Sequence, residues 1–258
     1  MIDLQYAYDA FEEYLQAFDQ ENERIRLKIV HTYGVVHDMK EITKRMGLGE
    51  EDCRLAELIA LLHDIGRFEQ AKRYDSFEPF TMDHARFGVE LLFSDDRMIR
   101  KFIKEDIWDD IIRVAIDQHS LYELKEIYDE RILLHARLIR DADKLDNCRV
   151  KLEESLDVLL GMTAEEVGAL EISDQIWETC LKEKSILSSD RVTKMDYWVS
   201  YIAYFYDINF KETFSIILEN DYIPQIFARI PYSNPDTKEK MEIFKEAMMR
   251  YIRNYCGE

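Results

Sequence analysis

Glycine and proline are scarce in this chain, with 8 Gly and 4 Pro among 258 residues. Turn-dense all-β folds need both types at their many corners, so the shortage argues against them and for long helices. Cysteine is sparse too. Cys53, Cys148, Cys180 and Cys256 lie far apart and form no CxxC pair. That excludes a disulfide framework and a zinc-ribbon spacing. Basic residues are outnumbered: 34 Lys and Arg against 53 Asp and Glu leave a formal charge of −19. Such a chain repels phosphate backbones and anionic lipids, so neither a nucleic-acid polymer nor a membrane surface is an expected partner. A local basic pocket can still hold a small phosphorylated ligand. No apolar run approaches the roughly 18 residues of a membrane span. The first residues, Met1-Ile2-Asp3, lack the basic and apolar regions of a signal peptide. The expectation is a reduced cytoplasmic protein.

Core formers, by contrast, are abundant. Hydrophobic residues make up 47% of the chain and aromatics 12%, which excludes disorder and suffices for one sizeable core. Leu4, Tyr8, Phe11, Leu15 and Phe18 step by three and four, the period of one helix face. Ile25, Ile29, Val36, Met39 and Met46 continue in a second helix, which Gly47 and Gly49 should end. The run from Leu55 to Ile65 is apolar around most of its circumference and predicts a central, buried helix closed by Gly66.

Arg67 to Met82, with its charges and Pro79, reads as a loop or broken helix. Asp83 caps a short helix through Phe93. One long helical pattern then runs over Ile99, Phe102, Ile103, Trp108, Ile111, Ile112 and Ala115 to His119, and another from Asp129 to about Cys148. Beyond residue 150 the helices become aromatic-rich, with Trp198, Tyr201, Ile202 and Phe205 facing a core. Asn234-Pro235 is an N-cap and N1 pair for a last helix on Met241, Phe244, Met248 and Ile252. The predicted fold is a single all-α unit over 1–258. It has a helical core at 25–150 and a C-terminal helical extension at 151–258.

There are only six histidines: His31, His37, His63, His84, His119 and His135. Aspartate is about one residue in ten, so a His-Asp dipeptide arises by chance about half a time; two occur, His37-Asp38 and His63-Asp64. Context separates them. His63 and Asp64 end the most apolar helix, where an unpaired carboxylate costs several kcal/mol unless it meets a positive partner. A divalent cation satisfies an imidazole and a carboxylate together. The same logic applies to Asp143, on the stripe of Ile132, Ala136 and Ile139. His37-Asp38 has no such burial pressure and reads as solvated, and His135 as structural or exposed.

With these residues the sequence resembles the HD-domain superfamily of metal-dependent phosphohydrolases over roughly residues 25 to 150. The pattern is His31 in His-Thr-Tyr-Gly-Val-Val, His63 and Asp64 in Leu-Leu-His-Asp-Ile-Gly-Arg, and Asp143 in Asp-Ala-Asp-Lys-Leu-Asp. His84 in Asp-His-Ala-Arg-Phe-Gly and His119 in Asp-Gln-His stand where two-metal members place two further histidines. Gly34 departs from the pattern, because many relatives carry a basic residue three positions after the first His. The resemblance implies an HD-type helical bundle. It further implies one or two divalent transition-metal ions (Fe, Mn, Ni, Co or Zn) held by His31, His63, Asp64, His84, His119 and Asp143.

The activity it implies is cleavage of a small phosphorylated metabolite, a nucleotide or phosphate ester, by a metal-activated hydroxide. Asp64 would bridge the metals and Arg67, directly after Gly66, would steady the phosphate with its planar fork. Lys72 and Lys144 are further candidates for substrate binding. The same ligands suit a di-iron oxygenase, and a ligand-binding HD protein without activity is a third alternative. A homodimer stays open.

Overall fold

A computed structural model of the chain describes residues 2–78, 81–94 and 97–257. Pro79 lies outside the described residues. The described residues contain helices and no strand, as the scarcity of turn formers predicts. The chain falls into two compact units, residues 1–146 and 147–258. No helix among the described residues is long and apolar enough to cross a membrane.

The first unit is built from α1 (Leu4–Leu15), α2 (Glu23–Met46), α3 (Glu50–Leu62), α4 (Ile65–Tyr74), α5 (His84–Phe93), α6 (Asp109–Gln118) and α7 (Glu130–Glu153). The second begins within α7, at Asn147. Local chemistry sets the starts of these helices. Asp3 accepts from the Tyr6 N–H, Asn22 from Arg24 and Ile25, and Asp83 from Arg86, each satisfying amides that have no partner inside the helix. Glu50, Glu51 and Asp52 place negative charge on the first turn of α3, where the helix dipole favours it.

α3 is the central helix, buried on every residue from Leu55 to Leu62. A Leu or Ile enclosed this way contributes roughly 1.5–3 kcal/mol. The one acid in the run, Glu57, accepts a hydrogen bond from the Tyr8 hydroxyl and lies 3.3 Å from the Lys40 ammonium.

Two expectations change here. Gly66 does not close a helix but stands in the first turn of α4; the segment from Arg67 takes the broken-helix form, with α4 running to Tyr74 and non-helical residues after it. Ile65, Phe68 and Ala71 are buried at a spacing of three, an apolar stripe that the surrounding charges obscure in sequence. The long pattern ending at His119 is also broken. Met98–Lys101 is a 3-10 turn, and α6 starts only at Asp109. Ile99, Phe102 and Ile103 reach the core from this turn, while Arg100 donates to the Lys104 carbonyl across it. Apolar spacing alone cannot tell a turn anchored by its side chains from a continuous helix.

The second unit holds α8 (Leu156–Leu160), α9 (Ala164–Gly168), α10 (Asp174–Leu181), α11 (Lys194–Ala203), α12 (Lys211–Glu219), α13 (Tyr222–Phe227) and α14 (Pro235–Cys256). Trp198, Ile202 and Phe205 are fully buried and Tyr201 is half-buried. Asp196 ties three segments together: it accepts from the Ser173 amide and hydroxyl and from the Val192 and Thr193 amides. Asn234 caps α14 through the Thr237 amide with Pro235 in the first turn, and Met241, Phe244, Met248 and Ile252 face inward.

Candidate metal centre

Helix ends bring most of the site together. His63 is the residue that closes α3, Asp64 lies between α3 and α4, His84 is the first residue of α5, and His119 closes α6. His31 and Asp143 come from within α2 and α7. Gly66 lets the start of α4 approach α5. A Cβ there would lie 2.2 Å from the His84 carbonyl oxygen and 2.9 Å from the Gly88 nitrogen. Without a side chain at position 66, His84 sits against Asp64.

Asp64 divides its two oxygens between two groups of histidines. Oδ2 lies 3.8 Å from His31 Nε2 and 3.7 Å from His63 Nε2. Oδ1 lies 3.3 Å from His84 Nε2 and 3.5 Å from His119 Nε2. Asp143 Oδ1 joins the first group, 3.1 Å from His31 Nε2. Donor atoms about 2.1 Å from one cation stand about 3.0–3.4 Å apart in octahedral or tetrahedral geometry. The trios His31, His63, Asp64 and Asp64, His84, His119 each gather their donor atoms within 4.8 Å and are buried throughout.

The donors also fit a cation in their chemistry. His63 Nε2 is buried without a hydrogen-bond partner, an expensive state for a polar atom unless something else is to occupy its lone pair. Burial pushes the His63 imidazole down to about 4. Burial, aided by the Arg67 charge, holds His84 well below the ordinary histidine value. Both rings are therefore neutral, lone-pair donors at neutral pH. His31 is raised instead: burial and Lys28 oppose its charge, but its bonds to Asp143 and Asp146 outweigh them. Burial would raise the carboxyls of Asp64 and Asp143. Lys28 and the imidazoles around Asp64, and His31 beside Asp143, hold both well below the usual carboxylate range.

Two cationic side chains flank the cluster. Arg67 Nε lies 3.7 Å from Asp64 Oδ1, while its Nη1 donates to Gln70 Oε1 and to the Phe77 carbonyl. Lys28, absent from the sequence-based candidates, lies one turn before His31 and donates to Asp64 Oδ2 at 2.8 Å. The Phe77 ring faces both, 5.2 Å from Lys28 Nζ and 5.7 Å from Arg67 Cζ. Gln70 ties the following segment down through the Glu78 carbonyl and the Thr81 hydroxyl.

The other two basic candidates make different contacts. Lys72 is exposed, donates to the Ala17 carbonyl and covers the Phe18 ring. Lys144 donates to the Arg140 carbonyl within α7. His37 is exposed, and His135 is fully buried with Nε2 3.0 Å from Asp52 Oδ1.

Residues 29–148 match the family described as HD domain. Those residues form an HD domain, a family most of whose members are metal-dependent hydrolases that bind divalent cations. Comparison with curated proteins and with solved structures gave no match.

Proposed function

We propose that this HD protein is a phosphohydrolase that cleaves a small phosphorylated metabolite, a nucleotide or a phosphate ester. In this reading His31, His63, Asp64 and Asp143 hold one divalent cation, and Asp64, His84 and His119 a second. Bound there, the pair of cations supplies a Lewis acid that neutralises phosphate charge and makes a nucleophile available from water near neutral pH.

The carrying observation is Arg67, whose Nε is buried beside the cluster without a hydrogen-bond partner. Gln70 and the Phe77 carbonyl fix the guanidinium through Nη1, so an unused donor is held in a set orientation. Such a fork suits two oxygens of one phosphate. Lys28 adds a second positive charge at the other oxygen of Asp64, and the Phe77 ring lies against both cations. In a chain of net charge −19, this concentration of positive groups favours a small anion over a polymer.

Elemental analysis of protein purified without a metal-affinity tag tests the centre. About two cations per chain are expected, falling toward one in His84→Ala and in His119→Ala. A panel of phosphate esters and nucleotides, run with and without oxygen, then tests the reaction. Release of inorganic phosphate under argon is the expected result. Iron-loaded protein that consumes oxygen and releases no phosphate would place it with the oxygenases. Protein that retains no metal after reconstitution would leave a ligand-binding role.

A further inference from the structure

Three imidazoles of the centre are anchored through Nδ1, by two different devices. His63 Nδ1 pairs with the Ala60 carbonyl and His119 Nδ1 with the Ile116 carbonyl, each at 2.7 Å and three residues back. Both rings stand at the carboxyl ends of helices, where the last carbonyls have no amide to accept from. His31 has no such resource. It lies in the interior of α2, where the preceding carbonyls are taken by the helical ladder.

Its anchor comes from another helix. Asp146 Oδ2 lies 2.7 Å from His31 Nδ1, with both side chains buried. Asp146 stands one turn after Asp143, so α7 grips the ring at both nitrogens: Asp143 at Nε2 and Asp146 at Nδ1. The neighbouring turn of α2 makes room for it. A Cβ on Gly34 would lie 2.0 Å from Asp146 Oδ1 and 2.5 Å from its Cγ. A mid-helix glycine is unfavourable relative to alanine, and here the smaller residue admits the carboxylate.

We infer that Asp146 is the positioning residue of His31: its carboxylate keeps the proton on Nδ1 and turns the Nε2 lone pair to the first cation, with Gly34 as the gap that seats it. The inference rests on the cation-binding role given to the cluster above. A carboxylate acceptor makes an imidazole a stronger ligand than a carbonyl does. The cation on His31 is therefore the tighter of the two, although every ring in the centre is a histidine.

Four variants test this: Asp146→Ala, Asp146→Asn, Gly34→Ala and the double variant Gly34→Ala/Asp146→Ala. Zinc is titrated into metal-free protein by calorimetry, and the low-field His31 Nδ1 proton is followed by NMR, assigned by its loss in His31→Gln. Far-UV circular dichroism establishes which variants remain folded. Asp146→Ala should lose the low-field proton and weaken the tighter zinc site by about 10–100-fold, leaving the other unchanged. Asp146→Asn keeps an oxygen acceptor and should recover part of both signals. Gly34→Ala should weaken the same site, yet add nothing in the double variant, where the group it collides with is gone.

Should Asp146→Ala fail to fold, Asp146→Asn and Gly34→Ala still decide the matter. Normal zinc binding by the folded variants, with the Nδ1 proton in place, overturns this inference alone. Wild-type protein that takes up no zinc overturns the functional proposal as well.

Discussion

Lys28 reaches across from α2 to place its ammonium 2.8 Å from Asp64 Oδ2, the oxygen that also faces His31 and His63. Both side chains are largely buried, with 15% and 5% of their surface exposed, so the pair is shielded from solvent screening. The ammonium and a cation on the same trio would share one oxygen. Two unit charges about 4 Å apart repel by roughly 4 kcal/mol in a surroundings of effective dielectric near 20. On the proposed reading, Lys28, on its flexible stem, would turn toward substrate once a cation occupied the trio.

Lys28→Met should consequently raise zinc affinity, by about tenfold for each ~1.4 kcal/mol of repulsion removed. The same change should reduce kcat/KM on the best phosphate substrate. Parallel calorimetry and steady-state kinetics check both. Weaker zinc binding in Lys28→Met would show that the lysine supports the site rather than competing with the metal.

Gly66→Ala attacks the approach of α4 to α5. The new Cβ meets main-chain atoms of His84 and Gly88, which cannot turn aside as a side chain can. Strain of this kind costs about 1–3 kcal/mol. Because His84 is the first residue of α5, the variant should lose the second cation and keep the first. Metal counting beside a denaturant melt decides it: two cations retained at wild-type stability would refute the packing argument.

Asp196 gives a pH prediction in the second unit. Burial works to raise its carboxyl, but the Ser173 hydroxyl and the amides of Thr193, Ser173 and Val192 outweigh it and hold the group below its ordinary value of 3.8. A carboxyl depressed on folding contributes stability that is complete above its unfolded pKa and is lost as pH falls through the folded one. Chemical denaturation of the full chain, followed by tryptophan fluorescence from neutral pH down to about pH 3, should show this acid loss. Asp196→Asn should flatten it. Asp196→Ala should cost about 1–3 kcal/mol near neutral pH, since it removes the shared acceptor of the Ser173 hydroxyl and the Ser173, Val192 and Thr193 amides. An unchanged acid limb in Asp196→Asn would assign the pH dependence to other carboxyls.

The sequence makes the helical fold and the ordered donor set legible for physical reasons. His63-Asp64 stands out because acids are costly at the end of so apolar a helix, and Asp83 and Asn234 mark helix starts through their caps. Asp146 and Lys28 were visible as residues but not as members of the site. Asp146 is the last residue of Asp-Ala-Asp-Lys-Leu-Asp, yet its partner His31 is 115 positions away, a pairing no periodicity encodes. Lys28 carried one local signal, its place a single turn before His31. Phe77 and Gln70 carried none, because their roles depend on how the chain folds back after Tyr74. Charges at Glu69, Lys72 and Arg73 hid the start of that stretch as helix. Only the burial of Phe68 and Ala71 reveals it.

The donors run from α2 to α7, with the first and last almost at opposite ends of the first unit's sequence. In an unfolded chain they are separated by long loops whose closure is entropically unfavourable. On the proposed reading, capture of metal would therefore be a late event in the life of the polypeptide. A nascent chain emerging from the ribosome presents His31, then His63 and Asp64, but would not complete a cage for the first cation until α7 had emerged and docked. Metal content would then report on maturation, and zinc added to a metal-poor preparation would separate folded molecules, which take it up, from unfinished ones, which do not.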